Sequence, residues 1–107
     1  MPLSTQLQLG VARLMQRRNL ARVNYAGDLE RPLVIKYIKK AGGKVVREIR
    51  PYEIKPHRTS GTLMVYATDT LHGADAIHSF IANRIVSTSE PLSKHFKPKW
   101  PIKLGDS

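Results

Sequence analysis

The sequence contains no cysteine. That absence excludes a disulfide framework, a thiolate zinc site, an iron–sulfur cluster and a cysteine nucleophile, and it is compatible with a reducing compartment. Acidic side chains are scarce: 8 Asp plus Glu stand against 18 Lys plus Arg, so the 107-residue chain carries a formal charge of +10. No apolar run approaches the roughly eighteen residues needed to span a bilayer. The N-terminus MPLSTQLQLG has neither the basic start nor the apolar middle of a secretory signal. These absences lead us to expect a soluble, cytoplasmic protein. Enough apolar material remains for one core, since the hydrophobic fraction is 41% and a chain of this length buries about two thirds of its unfolded surface.

The positive charge lies in blocks. Residues 1–27 carry Arg13, Arg17, Arg18 and Arg22 with no acid, and residues 31–58 carry nine bases against Glu48 and Glu53. Residues 59–93 reverse the trend, with Arg84 alone against Asp69, Asp75 and Glu90, before Lys94, Lys97, Lys99 and Lys103 restore a basic end. Any single lysine is an ordinary solvated side chain. Their sum is a positive field that attracts a polyanion across a Debye length of about 8–10 Å, so nucleic acid is the expected partner.

Thr5 and Gln8 stand at capping-box spacing, and Leu7, Val11, Leu14 and Met15 form an apolar stripe, which together predict a helix over 5–18. Asn24, Gly27, Asp28 and Pro32 are turn and breaker residues and predict a connection over 19–32. Beyond Pro32, LVIKYIKK, the turn AGGK and VVREIR read as a hairpin, with Ile35, Tyr37 and Lys39 on one face. PYEIKP is extended, Leu63 to Thr68 is a central and buried strand, and IHSFIANRIVS supplies a late strand pair. The prolines after residue 90 exclude a continuous helix there. The fold class is therefore α+β. A helix and connection span 1–32, about five short strands curl into a small barrel over 33–100 to cover their edges, and 101–107 form a tail.

RPYEIK (Arg50–Lys55), GTLMVYATD (Gly61–Asp69), HSFIANRI (His78–Ile85) and Phe96 together resemble the WYL domain, an Sm-like small β-barrel of bacterial and phage transcriptional regulators. Pro51-Tyr52, Phe80 and Arg84-Ile85 fall in the matching places. The family's Trp-Tyr-Leu triplet is replaced by Leu63-Met64-Val65, and the first Arg of its later motif by His78. The resemblance implies binding of nucleic acid or a nucleotide-type ligand in a basic groove. As a free-standing module, the chain is expected to work in the cytoplasm, that of a host if it is phage-encoded.

Small barrels that bind single strands hold phosphates with Lys and Arg and stack bases on aromatic rings. Arg47, Arg50, Lys55, Arg58 and Arg84 lie in or beside the strands that the resemblance assigns to the groove, and His78 stands where the family has a ligand-type Arg. Tyr52 and Trp100 are the candidate stacking rings. Competing uses are a carboxylate pair or strand-end carbonyls for Arg84, and cross-strand pairing with Glu48 or Glu53 for Arg47 and Arg50. His57, His72, His78 and His95 show no metal-ligand spacing. Asp69, His72, Asp75 and Ser79 supply hydrolase residue types without a G-x-S-x-G turn, and AGGK is not a P-loop. The expectation is a non-enzymatic module without cofactor or metal. The rival reading is a protein-interaction module that docks on a transcription or other host protein, or on a second copy, through the stripe of Leu7, Val11, Leu14 and Met15.

Overall fold

The computed structural model describes residues 3–105, with side chains described from Arg13 onward. The Thr5–Gln8 pair and the Leu7 and Val11 positions of the stripe lie outside the described side chains.

A single helix, α1, runs from Leu3 to Asp28 over 26 residues, well past the end expected near residue 18. Its buried stripe is Asn19, Val23, Ala26 and Gly27, a helical spacing that packs one face of its C-terminal half onto the sheet. Leu14 is 64% exposed and does not share that face. Asn24 and Gly27 break nothing here, because tertiary contacts employ both. The Asn24 Oδ1 accepts the Gly105 N–H at 2.9 Å, and a Cβ on Gly27 would collide with the Leu104 side chain and lie 3.2 Å from the Pro51 carbonyl oxygen.

The helix ends in a Schellman arrangement. Arg31 N–H donates to the Ala26 carbonyl at 2.9 Å and Glu30 N–H to the Gly27 carbonyl at 3.0 Å, with Glu30 in the left-handed region at φ 55° and Pro32 barring continuation.

Five antiparallel strands follow: β1 Leu33–Ile38, β2 Lys44–Pro56, β3 Leu63–Asp69, β4 Gly73–Ile81 and β5 Ile85–Thr88, the last two joined by a 3-10 turn over Ala82–Arg84. The spatial order is β4-β3-β2-β1-β5. The β1–β2 hairpin pairs Leu33 with Ile49 and Ile35 with Arg47, and β2–β3 shifts register between Pro51 and Glu53. Leu33, Ile35, Ile49, Val65, Ala67, Phe80 and Ile85 meet Val23 and Ala26 of α1 in one core, where a fully buried Leu or Ile side chain contributes about 1.5–3 kcal/mol.

The sheet curls strongly. Tyr37 on β1 touches β4 although two strands separate them in the sheet order: its ring meets Phe80 edge-on at 5.3 Å, and its hydroxyl accepts the Ile81 N–H at 3.0 Å. No ladder joins β4 to β5, so the sheet curls without closing into the expected barrel. The β5 edge is covered instead by α1: Asn19 Nδ2 donates to the Ile85 carbonyl at 3.1 Å and Arg22 Nη1 to the Thr88 carbonyl at 2.8 Å. Among the described residues, no helix is long and apolar enough to cross a membrane.

The C-terminal segment through Leu104 packs on the sheet and α1. Phe96 and Trp100 pack on Tyr52 with centroids at 5.7 and 5.5 Å, Lys103 N–H donates to the Tyr52 carbonyl at 2.8 Å, and Leu104 is buried beneath α1 beside Gly27.

Candidate anion-binding pocket

The inner face of the curled sheet opens at one end into a hollow of about 200 Å³. Strand alternation places its walls. Tyr37 continues the inward series Leu33 and Ile35, Lys39 follows just past the end of β1, and Arg47, opposite Ile35, belongs to the inward series of β2. From the other side, His78 and Phe80 face inward because their partners on β3, Ala67 and Val65, are core residues.

Asp69 closes the far wall and is 1% exposed. Its Oδ1 accepts the His72 backbone N–H at 2.6 Å, which orders the β3–β4 turn, and the His72 Nδ1 lies 2.9 Å from both carboxylate oxygens. Burial pushes the Asp69 carboxyl up. The His72 ring and backbone hydrogen bonds and the charges of His72 and His78 outweigh that and hold it below the usual 3.8. With Nδ1 engaged by Asp69, the His72 Nε2 is the ring nitrogen left for another partner. The His72 and His78 rings stack at 4.3 Å with a 38° tilt. The His78 Nε2 is buried and has no hydrogen-bond partner among the described residues.

A guanidinium, an ammonium and two imidazoles, one of them held by the Asp69 carboxylate in the far wall, thus surround a hollow floored by Tyr37 and Phe80. Such a set can donate hydrogen bonds to an anion from several directions while an apolar group lies on the rings.

The other sequence candidates lie elsewhere or are already engaged. Arg50 faces away from the core, where its Nε donates to Thr68 Oγ1 at 2.6 Å and its Nη2 to the Asp69 carbonyl at 2.9 Å. Arg84 donates from Nη1 to the Lys39 carbonyl at 2.9 Å, which is strand-end capping at the rim of the pocket. Lys55, at the far end of β2, pairs with Glu53 at 3.4 Å and stands 5.1 Å from the centroid of Tyr66. Arg58 is exposed in the β2–β3 loop. Tyr52 is 4% exposed, with Phe96 and Trp100 against its ring, which leaves no face for a base; Trp100 remains 37% exposed.

The structure brings together only Arg47 and His78 of the sequence candidates, and adds Lys39 and the Asp69–His72 pair. Lys39 was within reach of the sequence, since it alternates in phase with Ile35 and Tyr37. The Asp69–His72 pair carries only the short spacing of a turn.

No protein-family model matches the chain, and no curated protein matches it. Among solved structures it is similar to proteasome accessory factor B/C (PafBC) of Arthrobacter aurescens, with a TM-score of 0.66 and 21% sequence identity over 82% of this chain and 13% of that one. At that identity the likeness is one of fold, and this chain spans a small fraction of the length of its neighbour.

Proposed function

We propose that the chain is a non-enzymatic regulatory module of the WYL type that binds nucleic acid, or a phosphate-bearing ligand of that class, with its anionic group in the pocket of Lys39, Arg47, His72 and His78. The carrying observation is the buried, unpartnered His78 Nε2 beside a stacked His72 and the Arg47 guanidinium. Protonated imidazole donates from both nitrogens and Arg donates through a planar fork, which suits phosphate oxygens. The chain's positive charge brings a polyanion to that mouth. The motifs Arg50–Lys55 and His78–Ile85 support the family reading, and the likeness to a stretch of PafBC supports the fold.

The test is fluorescence anisotropy of labelled single- and double-stranded DNA and RNA across a salt series. The expected result is binding at low salt, with a log–log slope of about 0.7–0.9 per phosphate contact, weakened by Arg47→Ala. Absence of binding to every probe at low salt overturns the reading.

A second reading, docking on a host protein that the module then regulates, is favoured by one observation. Met15, 42% exposed, lines a cleft of about 390 Å³ between α1 and the segment Ala82–Val86, and Leu14 beside it is also exposed. Pull-down from nuclease-treated lysate separates the two: a partner that survives nuclease and is lost on Leu14→Asp supports docking.

A further inference from the structure

The register shift between Pro51 and Glu53 leaves Glu53 opposite Tyr66, on the other side of the sheet from the pocket of Arg47 and His78. The C-terminal segment completes a groove there, because Lys103 bridges in parallel to Glu53 and so brings Trp100 alongside Tyr66. The resulting hollow of about 260 Å³ has Glu53, Tyr66, Ile77, Pro101 and Lys103 around Trp100, with Tyr52 at its base packed edge-on against the Trp100 ring. Ile77 and His78 are consecutive on β4, so the strand presents one to this groove and the other to the pocket.

Three features select the occupant. The walls are aromatic and apolar, and the half-exposed Trp100 offers a ring surface at a size suited to one nucleoside. The rim is mixed in charge, with Lys55 paired to Glu53, Lys99 paired to Asp75, and Lys103 as one further ammonium. Inside stands one carboxylate, Glu53, whose Oε2 contacts Lys55 at 3.4 Å. A carboxylate only accepts hydrogen bonds. It therefore favours a base edge that presents donors, and guanine presents an imino and an amino group side by side. Adenine and cytosine present an amino group alone, and thymine or uracil a single imino group.

We infer that the groove between Trp100 and Tyr66 is a subsite for one unpaired nucleobase, read by Glu53 with preference for guanine over bases that present a single donor group. The inference takes its ligand class from the nucleic-acid reading above but uses none of the pocket residues. It adds that the strand is single, since a paired base cannot present its Watson–Crick edge to a carboxylate.

The chain contains a single tryptophan, so stacking at the site reports directly as quenching of intrinsic fluorescence. Full-length protein is titrated at low salt with a short oligothymidylate and with the same oligomer carrying one central guanine, followed in parallel by anisotropy. The expected result is saturable quenching, with the guanine-bearing oligomer bound about fivefold or more tightly, as for a bidentate base contact. Glu53→Gln should abolish that preference while keeping the quench. Arg47→Ala should weaken both oligomers equally and keep the preference. Trp100→Ala should lower affinity about tenfold.

Binding by anisotropy without quenching or base preference overturns this subsite and leaves the anion pocket standing. Failure of all oligomers to bind removes both. Quenching by a proline-rich peptide, with none by oligonucleotides, overturns the subsite in favour of a peptide groove. If Glu53→Gln does not fold, the wild-type preference and quench still decide.

Discussion

The Tyr37 hydroxyl on β1 accepts the Ile81 N–H of β4 at 3.0 Å, across a sheet in which the two strands are not neighbours. This contact, with the edge-on packing of Tyr37 on Phe80, holds the sheet in its curl and shapes the floor of the candidate pocket. Tyr37→Phe keeps the ring and removes the acceptor. We expect a loss of about 1–3 kcal/mol, the cost of leaving a part-buried N–H unpaired, measured as a lower denaturant midpoint with an unchanged slope. A slope that changes as well would mean that the curl itself relaxes.

Gly27 sits where α1 meets Pro51 and Leu104. Gly27→Ala should improve the helix by about 0.8–1 kcal/mol on propensity alone. The added methyl meets the Leu104 side chain and the Pro51 backbone, and overpacking of this kind costs about 1–3 kcal/mol. Net destabilisation is expected, seen as a lower melting temperature. Gly27→Ala combined with Leu104→Ala should recover part of the loss, because the flexible half of the clash is removed.

Arg47 and Arg50 should separate binding from stability. Arg47 faces the pocket and its described hydrogen bond is to the neighbouring Val46 carbonyl, so Arg47→Ala should leave stability within about 0.5 kcal/mol and weaken anion binding. Arg50 bonds both Thr68 and the Asp69 carbonyl, and Arg50→Ala should cost about 1–3 kcal/mol with little effect on affinity once folded. Melting curves and anisotropy on the same preparations check both. The reverse pattern would move the binding surface to the outer face of β2.

Asp69 ties stability to acid. Its carboxyl in the folded chain titrates below the usual 3.8, so the unfolded chain takes up the proton at higher pH. Its contribution is complete above pH 3.8 and is lost as pH falls through the lower folded value. His72→Ala removes the ring hydrogen bond and charge and leaves burial less opposed, so acid unfolding should begin at higher pH. Asp69→Asn should be less stable than wild type at neutral pH and should lack that part of the acid transition. Circular dichroism between neutral and strongly acid pH follows both.

The sequence by itself determined the order of elements from Pro32 onward. β-Branched alternation, the glycine-containing turn and the proline at the helix exit are local signals, and local sterics suffice to make the β1–β2 hairpin and the buried β3. It also determined the phase that sends Lys39 and Arg47 inward, because alternation follows from the pleat alone. Only the tertiary structure decided the length of α1. Asn19, Asn24 and Gly27 are poor helix residues by local propensity, yet each is matched to a distant group: Asn19 to β5 carbonyls, Asn24 to Gly105, and Gly27 to Pro51 and Leu104. The division of the arginines was likewise settled in three dimensions. Arg47, Arg50 and Arg84 carry the same charge, but the fold gives Arg50 and Arg84 carbonyls distant in the chain and leaves Arg47, bonded to its neighbour Val46, at the wall of a pocket, because partners far apart in the chain become neighbours only when the sheet curls.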